Sequence, residues 1–324
     1  MPHTKRACYD RTRLYWLVYI CDHHCSLIHG RPPLTRDFKS LRRPRDFLQS
    51  YFTSPSDLNM ISQVELWSIS SRVFDMFGAD IECHVISQRP DELSRLNISY
   101  DGWREEWLSM LSFPKPAGFS RRAFDLYFHS AKLYLFSHVF RGSSSQLVSP
   151  SHGIKQTTGP ATNVNTFVNS AMKSALAIIC CIVDDTDTDT TNSKESWLEK
   201  LPPYIGTMIA FACVCLVKVS RQQTPMACDM QGEDIPGYLH RLVRILRLSP
   251  VMNQPVHPLV SIARSLETAT ATMAMTAGQE YSHDPSTWNG ARDADLDLDF
   301  GVFDMFTNEA GNACADSHGV SFSL

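Results

Sequence analysis

Apolar residues recur along this chain at helical spacing, and period-two alternation is scarce. Leu14, Leu17, Cys21 and Ile28 mark one face of a first helix, which Gly30 is placed to end and Pro32-Pro33 prevent from resuming. A second helix is expected from Leu58 to Phe77, opening after Ser56-Asp57 and stopped by Gly78. Pro90-Asp91 opens a third, which carries Trp103 and Trp107 and ends before Pro114. From about Ser120 to Phe140 the sequence is apolar almost all round, apart from a polar stripe at Arg122, Asp125, His129 and Lys132. That is the pattern of an interior helix whose aromatics belong to the core. Further helices are expected at about 163–183, 195–220, 233–248 and 256–275.

These elements predict an all-α fold, a helical bundle or array. Residues 1–141 form its first part, and the Ser/Gly-rich stretch 142–162 reads as a linker. Residues 163–275 continue the helices, and 276–324 read as a disordered acidic and aromatic tail. Two apolar runs, Ala171–Val183 and Ile205–Val219, fall short of the ~20 residues a membrane span needs. Lys173, Asp184 and Lys218 lie in or beside them, so buried core helices are expected, with no membrane partner.

Charge adds a polarity that the helical pattern does not show. The net charge is -4, yet residues 1–50 carry ten Lys/Arg against four Asp, and residues 293–309 carry six acids and no base. Such asymmetry fits an interaction protein. The basic run Arg42-Arg43-Pro44-Arg45 reads as a solvated loop or a weak import or phosphate-contacting patch. Ten cysteines are scattered mostly within apolar helical stretches, as in Cys180-Cys181 and Cys213/Cys215, the usage of free thiols in a reducing compartment.

The most specific motif spans residues 13–37. Arg13, Trp16, Tyr19, Asp22, Ser26, Leu27, Gly30, Arg31, Pro32, Pro33 and Asp37 occur there in order. This resembles the signature of the middle homology region of fungal zinc-cluster transcription factors, in which an Arg-led aromatic helix runs through an Asp and a Ser-Leu pair into Gly-Arg-Pro-Pro. Together with Leu66-Trp67-Ser68-Ile69-Ser70-Ser71-Arg72-Val73-Phe74-Asp75, the segment looks like the regulators of secreted proteases within that family. The resemblance implies a helical regulatory domain, a nuclear location and a part in regulating transcription by RNA polymerase II. The signature is architectural and carries no catalytic chemistry.

Full members of that family hold two zinc ions in an N-terminal six-cysteine cluster that reads DNA. No Cys-x-x-Cys occurs in this sequence, so neither zinc nor specific DNA binding is expected of these residues themselves. The expected chain is a regulatory part without its own DNA-binding module. A signature helix deprived of upstream packing is expected to leave Trp16, Leu17 and Ile20 or their neighbours uncovered and to favour self-association.

Enzymatic readings fare poorly. Asp22-His23-His24-Cys25 spells the tetrapeptide of protein S-acyltransferases, but without their cysteine-rich zinc segment or flanking membrane helices. Cys21, His23, His24 and Cys25 cannot all share one helix face, whereas structural zinc wants four ligands. The run Asp184-Asp185-Thr186-Asp187-Thr188-Asp189 lacks the Gly and Glu of a calcium loop. Phosphate-loop and nucleophile-elbow patterns are absent from the sequence. No catalytic residues, metal ligands or cofactors are therefore assigned.

The tail is the second candidate for function. Asp295, Leu296, Asp297, Leu298, Asp299, Phe300, Phe303, Asp304 and Phe306 belong to an acidic-hydrophobic stretch, the composition of a disordered activation segment. Its charges would keep the apolar side chains in solvent, ready to dock into co-activators or other transcription machinery. The rival reading of the whole chain is a helical interaction scaffold with no transcriptional output.

Overall fold

A computed structural model describes residues 2–29, 32–35, 43–78, 89–112, 119–138, 161–184, 202–221, 234–248 and 259–268, except 261 and 265. All regular structure among them is helical, as the sequence pattern predicts. The elements are α1 (Pro2–His29), a 3-10 turn (Pro44–Gln49), α2 (Pro55–Val73) continued by a π turn (Phe74–Gly78), α3 (Pro90–Ser112), α4 (Arg121–Ser137), α5 (Ala161–Val183), α6 (Pro203–Arg221) and α7 (Ile235–Leu248). Helical residues recur within 259–268. The expected linker, apart from its last two residues, and the expected tail lie outside the described residues.

The helices pack in a continuous arrangement around α4. It contacts α2, α3, α5 and α6, and Leu126, Leu133, Leu135 and Phe136 are fully buried in it. Its polar stripe is half-buried and committed to neighbouring helices. Arg104 of α3 donates to Asp125 at 2.8 Å, Lys132 donates to Asp101 at 2.7 Å, and Arg122 donates to the Cys181 and Ile182 carbonyls at the end of α5. A helix C-terminus leaves carbonyls without intrahelical partners, and Arg122 supplies donors for two of them. Stripe and core thus act together, fixing α4 laterally through ions and radially through apolar packing.

The apolar runs are core helices of the fold. The stretch Thr166–Val183 has the length and hydropathy of a membrane span, but 61% of it is buried inside the protein. It lies against α4, α6 and α7. Residues 204–217 of α6 are buried throughout, covered partly by α1 and α5.

Besides α1, which opens already at Pro2, two helix starts differ from the sequence expectation. α2 opens earlier, at Pro55, because Ser54-Pro55-Ser56-Asp57 forms a capping box: the Asp57 carboxylate accepts from the Ser54 backbone N–H at 2.7 Å. Proline at the first helical position removes a donor that would have had no partner. α6 opens at Pro203 rather than near residue 195, and the Ile205 N–H closes its first turn on the Pro202 carbonyl.

α1 and α2 run parallel. Tyr9 and Arg13 meet Asp57 at the start of α2, and His23 meets Ser71 near its end. α3 returns antiparallel, with the Tyr100 hydroxyl beside Ser70 and the Trp107 indole donating to Glu65 at 2.7 Å.

Candidate functional site: the signature helix and its contacts

The signature side chains hold α1 to its neighbours, each by a different interaction. Arg13 reaches across to α2 and donates to Asp57 at 2.8 Å. The Asp57 carboxylate has no exposed surface and gathers further donors: the Tyr9 hydroxyl at 2.5 Å and the Ser54 hydroxyl at 2.7 Å. Burial by itself would push its pKa up. The hydrogen bonds from Tyr9, Ser54 and Arg13 outweigh that and hold it below the usual carboxylate range. Burial, and then the bond to Asp57, push the Tyr9 phenol up to about 12. The cluster is therefore a charged carboxylate with neutral and cationic donors around it, suited to structure and unsuited to proton transfer near neutral pH.

Asp22 performs the next task. Its Oδ2 accepts from both the backbone N–H and the hydroxyl of Thr35, at 2.7 and 2.6 Å. The chain leaving α1 is thereby folded back beyond Pro32 and Pro33. Gly30, Arg31 and Asp37 lie outside the described residues. Trp16 and Tyr19 are buried with their rings edge to face, 6.2 Å between centroids, and Leu27 is buried too. Ser26 is half-buried.

The tetrapeptide Asp22-His23-His24-Cys25 is divided by the helix. His23 donates from Nδ1 to the Tyr19 carbonyl at 2.8 Å, so in the neutral ring Nε2 accepts from the Ser71 hydroxyl at 2.6 Å. His24 faces the interior, stacked on Tyr204 with centroids 4.1 Å apart and edge-on to Trp67. Cys21 and Cys25 are exposed on the outside. Among the described residues no group of three or more His, Cys, Asp or Glu side chains is arranged to hold a metal.

The outer face of α1 corrects part of the expectation: Leu17 is uncovered as expected, but Trp16 and Ile20 are not. Trp16 and Ile20 are covered, at 3% and 7% exposure, while Leu14, Leu17 and Val18 are exposed at 61%, 40% and 49%. The broad indole is taken up by α2 and its surroundings, and the aliphatic residues are turned outward with Cys21 and Cys25.

A second polar centre had no signal in the sequence. Arg45, read there as part of a solvated basic run, is half-buried above the Trp107 ring, 5.0 Å from its centroid. Its guanidinium donates to both carboxylate oxygens of Glu65, at 2.7 Å each, and to Glu106 of α3, with one bond at 2.9 Å. The same bonds lower the Glu106 pKa. Arg45 is thus unavailable as an import or phosphate-binding side chain, whereas Arg43 is exposed. Replacing Arg45 by Ala is expected to cost about 2 kcal/mol in urea unfolding, as charged hydrogen bonds at a partly wet site do. Lys should recover little of this, because an ammonium cannot make the planar fork. Equal stability of Arg45→Lys and the wild type would show that the fork is unimportant.

Comparison with known proteins agrees with the signature. The chain is 24% identical, over 248 residues, to the transcriptional activator of proteases prtT of Emericella nidulans. The aligned region covers 74% of this chain. The chain is a distant homologue of a fungal transcriptional activator. It spans about 35% of the length of that relative. No family model matches the sequence, and no solved structure matches it.

Proposed function

We propose that this chain is the regulatory and activating part of a fungal zinc-cluster transcription factor, acting in the nucleus and without enzymatic activity. The observation that carries the reading is the homology to a transcriptional activator over 74% of the chain. The signature supports it from within: Arg13 and Asp22, two of its residues, make the contacts that fix α1 and its exit. In this reading the helical domain restrains or senses, and the acidic-aromatic tail recruits co-activators or other transcription machinery. DNA recognition and zinc belong to a module of the six-cysteine type, which these 324 residues do not spell.

The decisive experiment fuses residues 285–324 to a heterologous DNA-binding domain and measures reporter transcription. The wild-type tail is expected to activate, and Phe300→Ala, Phe303→Ala and Phe306→Ala together should remove most of the output at equal protein level. Docking of such a segment orders it on contact, so affinity for a co-activator should be micromolar, roughly -8 kcal/mol. A silent wild-type tail, or a triple variant as active as wild type, would favour the scaffold reading instead. Nuclear accumulation of the tagged full chain is a separate expected result.

A further inference from the structure

The exposed surface of α1 changes character along the helix. Up to Arg11 it is largely polar, with Lys5, Arg6, Asp10 and Arg11 facing water. From Thr12 to Leu27 the exposed residues are Leu14, Leu17, Val18, Cys21 and Cys25, and none is charged. Arg13 and Asp22, the ionised side chains of that stretch, are committed to Asp57 and Thr35. A helix face that meets water is ordinarily polar. α3 keeps to this rule: its exposed Ile98 and Met110 stand singly among charged residues and serines.

The spacing of the stripe identifies the kind of surface it fits. Leu14, Val18, Cys21 and Cys25 follow one another at alternating steps of four and three residues, the seam of a two-stranded coiled coil. Ala7 and Arg11 continue the same register toward the N-terminus. The partner is thus a helix with a matching seam, and α1 matches itself. In an antiparallel pair Leu14 faces Cys25 of the second copy and Val18 faces its Cys21, so each of these layers sets a large side chain against a small one. Lys5 and Arg11 of the two copies then lie at opposite ends. A parallel pair would stack Arg11 on Arg11 and leave two thin layers of thiols at the other end. The chain's own acidic-aromatic tail is a poorer occupant, because the stripe beyond Arg11 offers no cation to its six acids.

Contact from Ala7 to Cys25 would extend over about 27 Å of helix. Two such helices bury on the order of 1,000 Å² together, the low end of specific interfaces, so the pairing is weak and reversible.

We infer that the outer face of α1 is a homodimerisation seam, through which two copies of this chain pair antiparallel by Leu14, Val18, Cys21 and Cys25. Self-association is thereby moved from Trp16 and Ile20, where the sequence pattern put it, to the opposite face of the helix. The seam does not rest on the transcriptional reading, since dimerisation is measured on the protein alone.

Sedimentation equilibrium of the full chain is expected to show monomer–dimer exchange with a dissociation constant of roughly 10–100 μM. Leu14→Glu with Val18→Glu should weaken it at least about 10-fold, since two acids per copy would lose water in the seam. Leu14→Gln with Val18→Gln should weaken it too, without added charge. Both positions are exposed in the single chain, so both variants should melt as the dilute wild type does; failure of both to fold would show that the face is packed within one copy. In the antiparallel register Cys21 lies about 5 Å along the axis from its counterpart, and Cys25 about 16 Å from its own. In a background of Cys8→Ser, Cys83→Ser, Cys228→Ser and Cys314→Ser, a short bismaleimide should therefore join two copies carrying Cys25→Ser and not two carrying Cys21→Ser. Maleimide labelling of Cys21 should slow as protein concentration rises. A monomer at about 0.5 mM, or a folded glutamate variant that dimerises as the wild type does, would overturn the seam. So would equal cross-linking through Cys25, or labelling equally slow at every dilution, the result expected of the chain's own tail on the stripe.

Discussion

Acidification from pH 7 to about 4.5 is expected to remove about 5 kcal/mol of folding free energy, chiefly through two histidines. His24 is enclosed by Trp67 and Tyr204, and burial, with a smaller contribution from neighbouring His23, lowers its pKa to about 3. For His129 burial again comes first, and the charges of Arg104, Asp125, Lys132 and Asp101 largely offset one another, leaving a pKa of about 4. Each ring has a buried nitrogen with no hydrogen-bond partner among the described residues, Nε2 in His24 and Nδ1 in His129. An unfolded histidine titrates near 6.5. Both folded values are depressed, so the unfolded chain takes up protons first. Stability is fully present above about pH 6.5, declines as pH falls, and stops declining only below the folded values. Against a net stability of ~5–15 kcal/mol, a domain at the lower end of that range unfolds in the pH 4–5 region, and a more stable one loses a third or more of its margin. Urea denaturation at a series of pH values measures the slope, and His24→Leu should reduce it by about one proton. An unchanged slope in that variant would remove His24 from the account.

The largest single-residue effect is expected at Asp57, where Asp57→Ala should cost about 3–5 kcal/mol. The substitution deletes an acceptor shared by Tyr9, Ser54 and Arg13, and leaves their donors facing a space no carboxylate fills. It also removes the capping box of α2. Tyr9→Phe, which removes one donor and keeps the ring stacked on Phe47, should cost only about 1 kcal/mol. A double-mutant cycle between Arg13 and Asp57 should show coupling of about 1 kcal/mol or more, because one partner is wholly buried. If Asp57→Ala unfolds at the same urea concentration as the wild type, the cluster does not anchor α1.

These residues show where sequence reasoning reaches and where it stops. The all-round apolar pattern of α4 announced an interior helix, because burial on every side leaves a composition signal that needs no partner to be read. Gly78, Pro90 and the Ser120 cap likewise punctuate the chain locally. Arg13 was singled out by its motif, but its acceptor lies 44 residues away, and nothing local names it. The Ser54-Pro55-Ser56-Asp57 sequence did contain a usable signal, a serine followed three positions later by an acid. Arg45 resembled the neighbouring arginines in sequence. Its distinction comes from Glu65 and Glu106, which only the packing of α2 against α3 brings together. The helix start at Pro2 was equally hidden. Its first turns are polar, and they are held by Arg6–Asp10 pairing and by Tyr9 against Phe47 and Phe52.

The parallel pairing of α1 with α2 has a kinetic consequence. In a helical hairpin the sequence separation of touching residues shrinks toward the turn, so docking can begin at the turn and spread. Here Tyr9 touches Asp57 and His23 touches Ser71, each pair 48 residues apart, and no part of the interface is more local than the rest. Closing the intervening connection of about 25 residues costs about 3 kcal/mol of loop entropy before any of these contacts is gained. Antiparallel α2 and α3 are joined by about 11 residues, which lowers the same cost to about 2 kcal/mol and lets their contacts spread from the near end. Folding should therefore proceed with α1 docking late, on helices already assembled, and the helix that carries the signature becomes the one whose arrival marks completion of the domain.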